Sequence, residues 1–266
     1  MKRKNILRWT AALLILCSLG ELAHYYYSRY RDDRMYRELA KNVKEPLLET
    51  PVEETPAEGT EPEINETKPP YLSPVDFASL WDINPDVVGW IRVPDTRIDY
   101  PILYDENDNE KYLHIDMAGE KSVSGSIYLD KDDLPDFASL HNVIYGHHMK
   151  DGSMFRDIMN FRDKEFFDSH REIYIYLPDR EVKLRPFACL YTKPDGIRRK
   201  TRFSSEEKFN TYIEEMVKGA EIYAEPDQKI TRIYSLVTCS YELDDTRTIL
   251  YCYEVIEDPD ADSTIH

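Results

Sequence analysis

Cysteine is scarce in this chain of 266 residues: Cys17 lies in an apolar N-terminal stretch, and Cys189, Cys239 and Cys252 lie in the folded part. Four thiols so placed are not a disulfide framework. There is no CxxC pair and no His/Cys cluster at ligand spacing. The adjacent His147 and His148 make a poor metal site, because neighbouring side chains on an extended backbone point apart. No metal and no cofactor is expected. Basic residues are also short, 34 Lys and Arg against 51 Asp and Glu, for a net charge of -17. Phosphate contacts need clustered cations, so nucleic acid is excluded as a partner. No internal repeat is visible.

The ends and linkers are polarised in composition. Lys2, Arg3 and Lys4 precede an apolar stretch from Ile6 to about Leu19, and Tyr25, Tyr26 and Tyr27 follow it. The stretch lacks a small-x-small cleavage site, so residues 1–29 read as an uncleaved signal anchor with a cytoplasmic start. The remainder is then extracytoplasmic on a single-pass membrane protein. In residues 30–70, Met35, Leu39 and Val43 repeat every four positions, which extends the anchor as a helix. From Pro46 to Pro70 the chain turns to Glu, Pro and Thr, the composition of an extended, self-repelling stalk that spaces a domain from the membrane.

Residues 71–266 form the folded domain. Short runs rich in Val, Ile and Tyr, separated by Pro, Asp, Gly and Asn, predict a mainly β fold. Strands are expected at Val88 to Val93, Ile98 to Tyr104, Gly125 to Leu129, Asn142 to Tyr145, Glu172 to Leu177, Glu181 to Thr192, Thr231 to Thr238 and Arg247 to Val255. Eight such strands suit a closed barrel. Helical insertions are expected at Val75 to Trp81, at Met154 to His170 and at Ser205 to Lys218, the last with Ser204 and Glu207 as a capping box and Gly219 as a stop.

Three side chains carry the chemistry. Cys239 ends the strand IYSLVTC and borders the polar loop SYELDDT, where solvent can reach a thiol. Cys189 and Cys252, in mid-strand, read as small buried hydrophobes. Arg247 follows Cys239 by eight positions, so a hairpin brings its fork of donors alongside the thiol, where it can stabilise an oxyanion. Taken alone it reads better as a surface ion pair with Asp244 or Asp245. His147 ends NVIYGHHM, with Gly146 permitting a sharp exit, and its imidazole can relay the thiol proton.

The ordered motifs GWIRVPDTRIDYPILY, YLHIDMAGEKSVSGSIYLD, NVIYGHHM, LVTCSYE and DTRTILYCYEV resemble the sortase family of cell-wall cysteine transpeptidases over roughly Trp81 to Ile256. The N-terminal helix and the helix following Ser204 look like class B. The resemblance implies a sortase-type eight-stranded β-barrel that cleaves a C-terminal sorting signal after Thr. Cys239 would be the nucleophile, His147 the general acid or base, and Arg247 the group that holds the substrate carbonyl. Thr238 and, in the loop PDGIRRKTRF, Ile197 are its substrate-binding candidates. Partners implied are secreted proteins with NPxTN-like or LPxTG-like signals and a peptidoglycan-precursor or pilin amine as acceptor. Two other readings are a surface cysteine peptidase using water and a non-catalytic surface-displayed barrel. The His-before-Cys order opposes a papain-like chain.

Overall fold

The computed structural model of the chain describes residues 2–41, 43, 71–194, 196–239 and 246–256. The stalk expected up to Pro70 and the acidic loop holding Tyr241, Glu242, Asp244 and Asp245 lie outside the described residues.

The longest strand, β6 (Glu181–Thr192), shows how the sheet closes. Its first residues pair with β5 (Ile173–Tyr176), and from Leu184 onward it pairs with β9 (Arg247–Glu254). The ring continues from β9 through β8 (Ile233–Cys239), β4 (His141–His147), β3 (Ile127–Leu129), β2 (Asp99–Leu103) and β1 (Val87–Arg92) back to β5. The expected eight-stranded barrel is therefore formed. Pro186, which has no N–H for a ladder, sits where the β6–β9 register slips. A two-residue ninth strand, β7 (Ile222–Tyr223), adds to the edge of β6 and is too short to leave a period in the sequence.

Most pairings are antiparallel, but β2–β3 and β4–β8 are parallel. The β4–β8 ladder runs unbroken from His141↔Ile233 to His147↔Cys239. This corrects the expectation of a strand ending at Tyr145 and a sharp exit at Gly146. Gly146 is needed for room instead: a Cβ there would lie 2.7 Å from Phe155 Cγ, which packs directly on the strand. At β3 the reverse holds. Gly125, with φ +55°, is not in the strand, which starts only at Ile127.

Helices lie close to where the sequence places them, with shifted ends. α2 (Phe77–Ile83) is capped by Asp76, whose carboxylate accepts from Ser79 N at 3.2 Å. A 3₁₀ segment (Phe155–Arg162) leads into α3 (Lys164–Ser169). α4 (Glu206–Met216) is capped by Ser205, which accepts from Lys208 N at 3.3 Å, so the expected Ser204 and Glu207 box does not form. The apolar face of α4, Phe209, Tyr212, Ile213 and Met216, is buried.

The apolar N-terminal stretch is extended as expected in α1 (Lys2–Lys41), one continuous helix whose second half packs on the barrel. Ser28, Asp32 and Tyr36, four residues apart and so on one face, are buried against the barrel, and Met35 and Leu39 pack on its core. The apolar first half, including Leu13, Leu14 and Leu16, stays exposed.

A buried polar network ties the start of β4 to its neighbours. His141 Nε2 lies 2.6 Å from Ser235 Oγ, and its Nδ1 lies 3.1 Å from the Lys200 carbonyl and 3.2 Å from the Tyr212 hydroxyl. Burial pushes the imidazole down to about 4. A histidine lowered on folding contributes stability that is present above its ordinary value of 6.5 and is lost as pH falls toward 4. Between pH 7 and pH 4 the wild-type chain should therefore lose about 3 kcal/mol more than His141→Gln, measured by urea unfolding. Equal losses would contradict a neutral, buried His141.

Candidate active site

β4, β6 and β8 run in the same direction and end at His147, Thr192 and Cys239, while β9 begins at Arg247. Their register brings the predicted residues to one rim. His147 is the ladder partner of Cys239, and Thr192 is that of Arg247. The β8–β9 ladder ends at Val237↔Ile249, two residues short of Cys239 on one strand and two residues in from Arg247 on the other. Partner strands lie roughly 5 Å apart, so three sequence-distant residues share one patch of rim.

At this point the β8–β9 ladder gives way to a side chain. Thr238 is buried, and its hydroxyl accepts from Thr248 N at 3.0 Å and lies 3.3 Å from Thr248 O. Thr238 thus ties the start of β9, next to Arg247, to the end of β8. Ile197 lies elsewhere, in a 3₁₀ turn (Ile197–Arg199) between β6 and α4. It is 59% exposed. The turn is pinned by Arg199, whose Nε donates to Asp130 at 2.8 Å. Ile197 follows Thr192 by five residues, its carbonyl accepts from the Tyr212 hydroxyl at 3.4 Å, and it does not line the cleft beside His147.

His147 is buried, and its Nε2 lies 2.7 Å from the Leu113 carbonyl. A carbonyl only accepts, so Nε2 carries the proton and Nδ1 is the basic nitrogen. Leu113 is itself held. Lys111, two residues before it, donates to Asp86 at 2.7 Å and to Asp105 at 2.8 Å, and the Tyr112 hydroxyl donates to Asp86 at 2.5 Å. The His114 ring lies 6.3 Å from that of His147. A cleft of about 770 Å³ opens beside them, walled by His114, Val123, His147 and His148 on the barrel and by His24 and Tyr25 on α1. The Leu113 carbonyl, His114 and the α1 wall were missed by sequence reasoning. A backbone acceptor leaves no residue-type signal, and one histidine in a loop carries none.

The remaining barrel cysteines are unsuited to this chemistry. Cys189 and Cys252 are fully buried, and burial pushes the Cys189 thiol up to about 12 and Cys252 higher still.

A closed barrel with cysteine, histidine and arginine at neighbouring strand ends defines a class, the barrel-fold cysteine transpeptidases. No family model matches the chain. It is 37% identical over 175 residues to sortase B of Listeria monocytogenes, across 64% of this chain and 69% of that protein. It is 29% identical over 166 residues to sortase B of Staphylococcus aureus, across 61% of this chain and 67% of that protein. The crystal structure of Bacillus anthracis sortase B in complex with AAEK1 matches with a TM-score of 0.68 at 28% identity, covering 87% of this chain and 100% of that chain. A Staphylococcus aureus sortase B–substrate complex matches with a TM-score of 0.62 at 27% identity, covering 67% and 84% respectively. The chain belongs to the sortase B family and is a cysteine transpeptidase.

Proposed function

We propose that the chain cleaves a C-terminal sorting signal after Thr and transfers the new carboxyl end to an amine. The observation that carries this reading is the β4–β8 register, which sets His147 beside Cys239 with Arg247 on the adjoining strand. The Cys239 thiol passes its proton to Nδ1 of His147, the resulting thiolate attacks the Thr carbonyl carbon, and Arg247 stabilises the oxyanion with its charged fork. Collapse breaks the C–N bond, His147 gives its proton to the departing amine, and a thioester remains on Cys239. An acceptor amine then attacks the thioester, loses a proton to His147 and releases the thiolate. Thr238 enters this scheme through the strand, holding Arg247 in place, and exposed Ile197 is a contact for the apolar part of the signal.

The substrates proposed are secreted proteins with NPxTN-like or LPxTG-like signals, and the acceptor is a peptidoglycan-precursor or pilin amine. The Staphylococcus aureus relative has been solved with a substrate, which supports a peptide-binding role here. α1 is proposed as a single-pass anchor that leaves the barrel outside the cell. It holds the described window long and apolar enough to cross a membrane, none of it buried.

The test incubates the full chain, in detergent micelles, with peptides of both signal types and with candidate amines, and reads products by mass spectrometry. Amine adducts ending in Thr support transfer, acid products alone indicate a peptidase, and intact peptide indicates a non-catalytic barrel. In the same assay Arg247→Ala should lower kcat by about a hundred- to a thousandfold, with Arg247→Lys recovering only part. Unchanged turnover in Arg247→Ala would remove the oxyanion role.

A further inference from the structure

The docked half of α1 reaches the catalytic histidine through the loop between residues 112 and 126. We infer that Tyr36 and Asp32 of α1 are positioning residues for His147, acting through the Leu113 carbonyl. This rests on the acid–base role proposed for His147.

The path is short and almost entirely buried. Tyr36, 3% exposed, donates its hydroxyl to Gly125 O at 3.0 Å and accepts from Met117 N at 3.2 Å. Asp32, 1% exposed, accepts from Ser122 Oγ at 2.6 Å, and that oxygen in turn accepts from Ser124 N at 2.9 Å and Gly125 N at 3.0 Å. Gly125 is thus gripped on both its N–H and its C=O by groups that trace to α1. Its third face lies against the carbonyl in question, since a Cβ at Gly125 would sit 2.5 Å from Leu113 O and 2.7 Å from Tyr112 O. Leu113 O receives the His147 Nε2 proton at 2.7 Å.

The loop is cross-tied as a unit. Ser126 N donates to Tyr112 O at 2.9 Å, and Ser122 N donates to His114 O at 2.9 Å. A displacement of Gly125 therefore moves Leu113. α1 also holds the other side of His147, because Arg29 pairs at 2.5 Å with Asp151, four residues beyond it. Arg31 adds a pair with buried Asp116 at 2.7 Å. The tyrosine ring alone would satisfy packing. A buried hydroxyl and a buried carboxylate, both spent on one loop, are costly unless that loop must be held in a single position.

The consequence is specific to proton chemistry. Loosening Leu113 frees the imidazole to turn or to place its proton on Nδ1, which slows the steps that pass a proton. Small displacements of a catalytic group lower rates steeply.

The test compares the full chain with Tyr36→Phe, Asp32→Ala, Asp32→Asn and Arg37→Ala in detergent micelles. Readouts are kcat and KM for cleavage of a peptide the wild type accepts, and the imidazole ¹⁵N spectrum of His147. Tyr36→Phe and Asp32→Ala should lower kcat by about tenfold with KM unchanged, and should convert His147 from a uniform Nε2–H tautomer to a mixture. Asp32→Asn, which keeps an acceptor for Ser122, should retain most activity. Arg37→Ala, on the same helix and paired with Asp33, should match wild type. Wild-type kcat and an unaltered imidazole spectrum in folded Tyr36→Phe would overturn the inference. So would a kcat loss matched by an equal loss of folded protein at the assay temperature. If His147→Ala is inactive while Tyr36→Phe is normal, only this inference fails; if His147→Ala turns over normally, the proposed acid–base role fails first.

Discussion

Replacing Cys239 with alanine is expected to reduce peptide cleavage to background, a loss on the order of a millionfold. The size follows from the role: among the described residues no other thiol stands at the rim to form the acyl bond, so positioning by Arg247 and His147 has nothing to act on. The other barrel thiols cannot compensate. Cys189 and Cys252 are fully buried, with thiols pushed up by desolvation to about 12 and beyond, so neither offers thiolate at neutral pH. Alkylation of the folded barrel should accordingly modify Cys239 and spare those two. Cleavage that survives in Cys239→Ala would mean that the nucleophile lies elsewhere.

His147→Gln is expected to cost about a thousand- to ten-thousandfold in kcat, close to the loss in His147→Ala. The glutamine variant is the more informative, because its side-chain amide can still donate to Leu113 O, which the histidine reaches at 2.7 Å. It removes the basic nitrogen while retaining the hydrogen bond. Equal losses in the two variants would assign the effect to proton transfer, as measured by single-turnover acylation. Near-normal acylation in His147→Gln would reduce His147 to a structural residue.

The sequence was most legible where pattern and pairing agree. β6 begins at Glu181 and ends at Thr192 as expected, because its apolar residues are bounded by turns and both faces are needed to close the ring. β8 and β9 bring Cys239 and Arg247 together because the intervening loop is short and polar. Boundaries shifted where a neighbour decided them. β4 runs on to His147 because β8 offers a partner for every residue, and α4 takes Ser205 as its cap, one position beyond the apparent box. Least legible was the face of α1 bearing Ser28, Asp32 and Tyr36. A polar stripe on a helix reads as solvated, and only the distant loop at Met117, Ser122 and Gly125 gives its groups partners. The same limit hid Leu113, whose contribution is a backbone carbonyl.

The most direct measurement is the intact mass of the full chain, acid-quenched during turnover of a sorting-signal peptide in the absence of added amine. A thioester on Cys239 predicts an increment equal to the peptide up to and including its Thr, less one water. Peptide mapping should localise it to Cys239, hydroxylamine should remove it, and Cys239→Ala should not show it. Cleavage after Thr with no covalent species under any quench condition, or an adduct on another residue, would contradict the proposed chemistry.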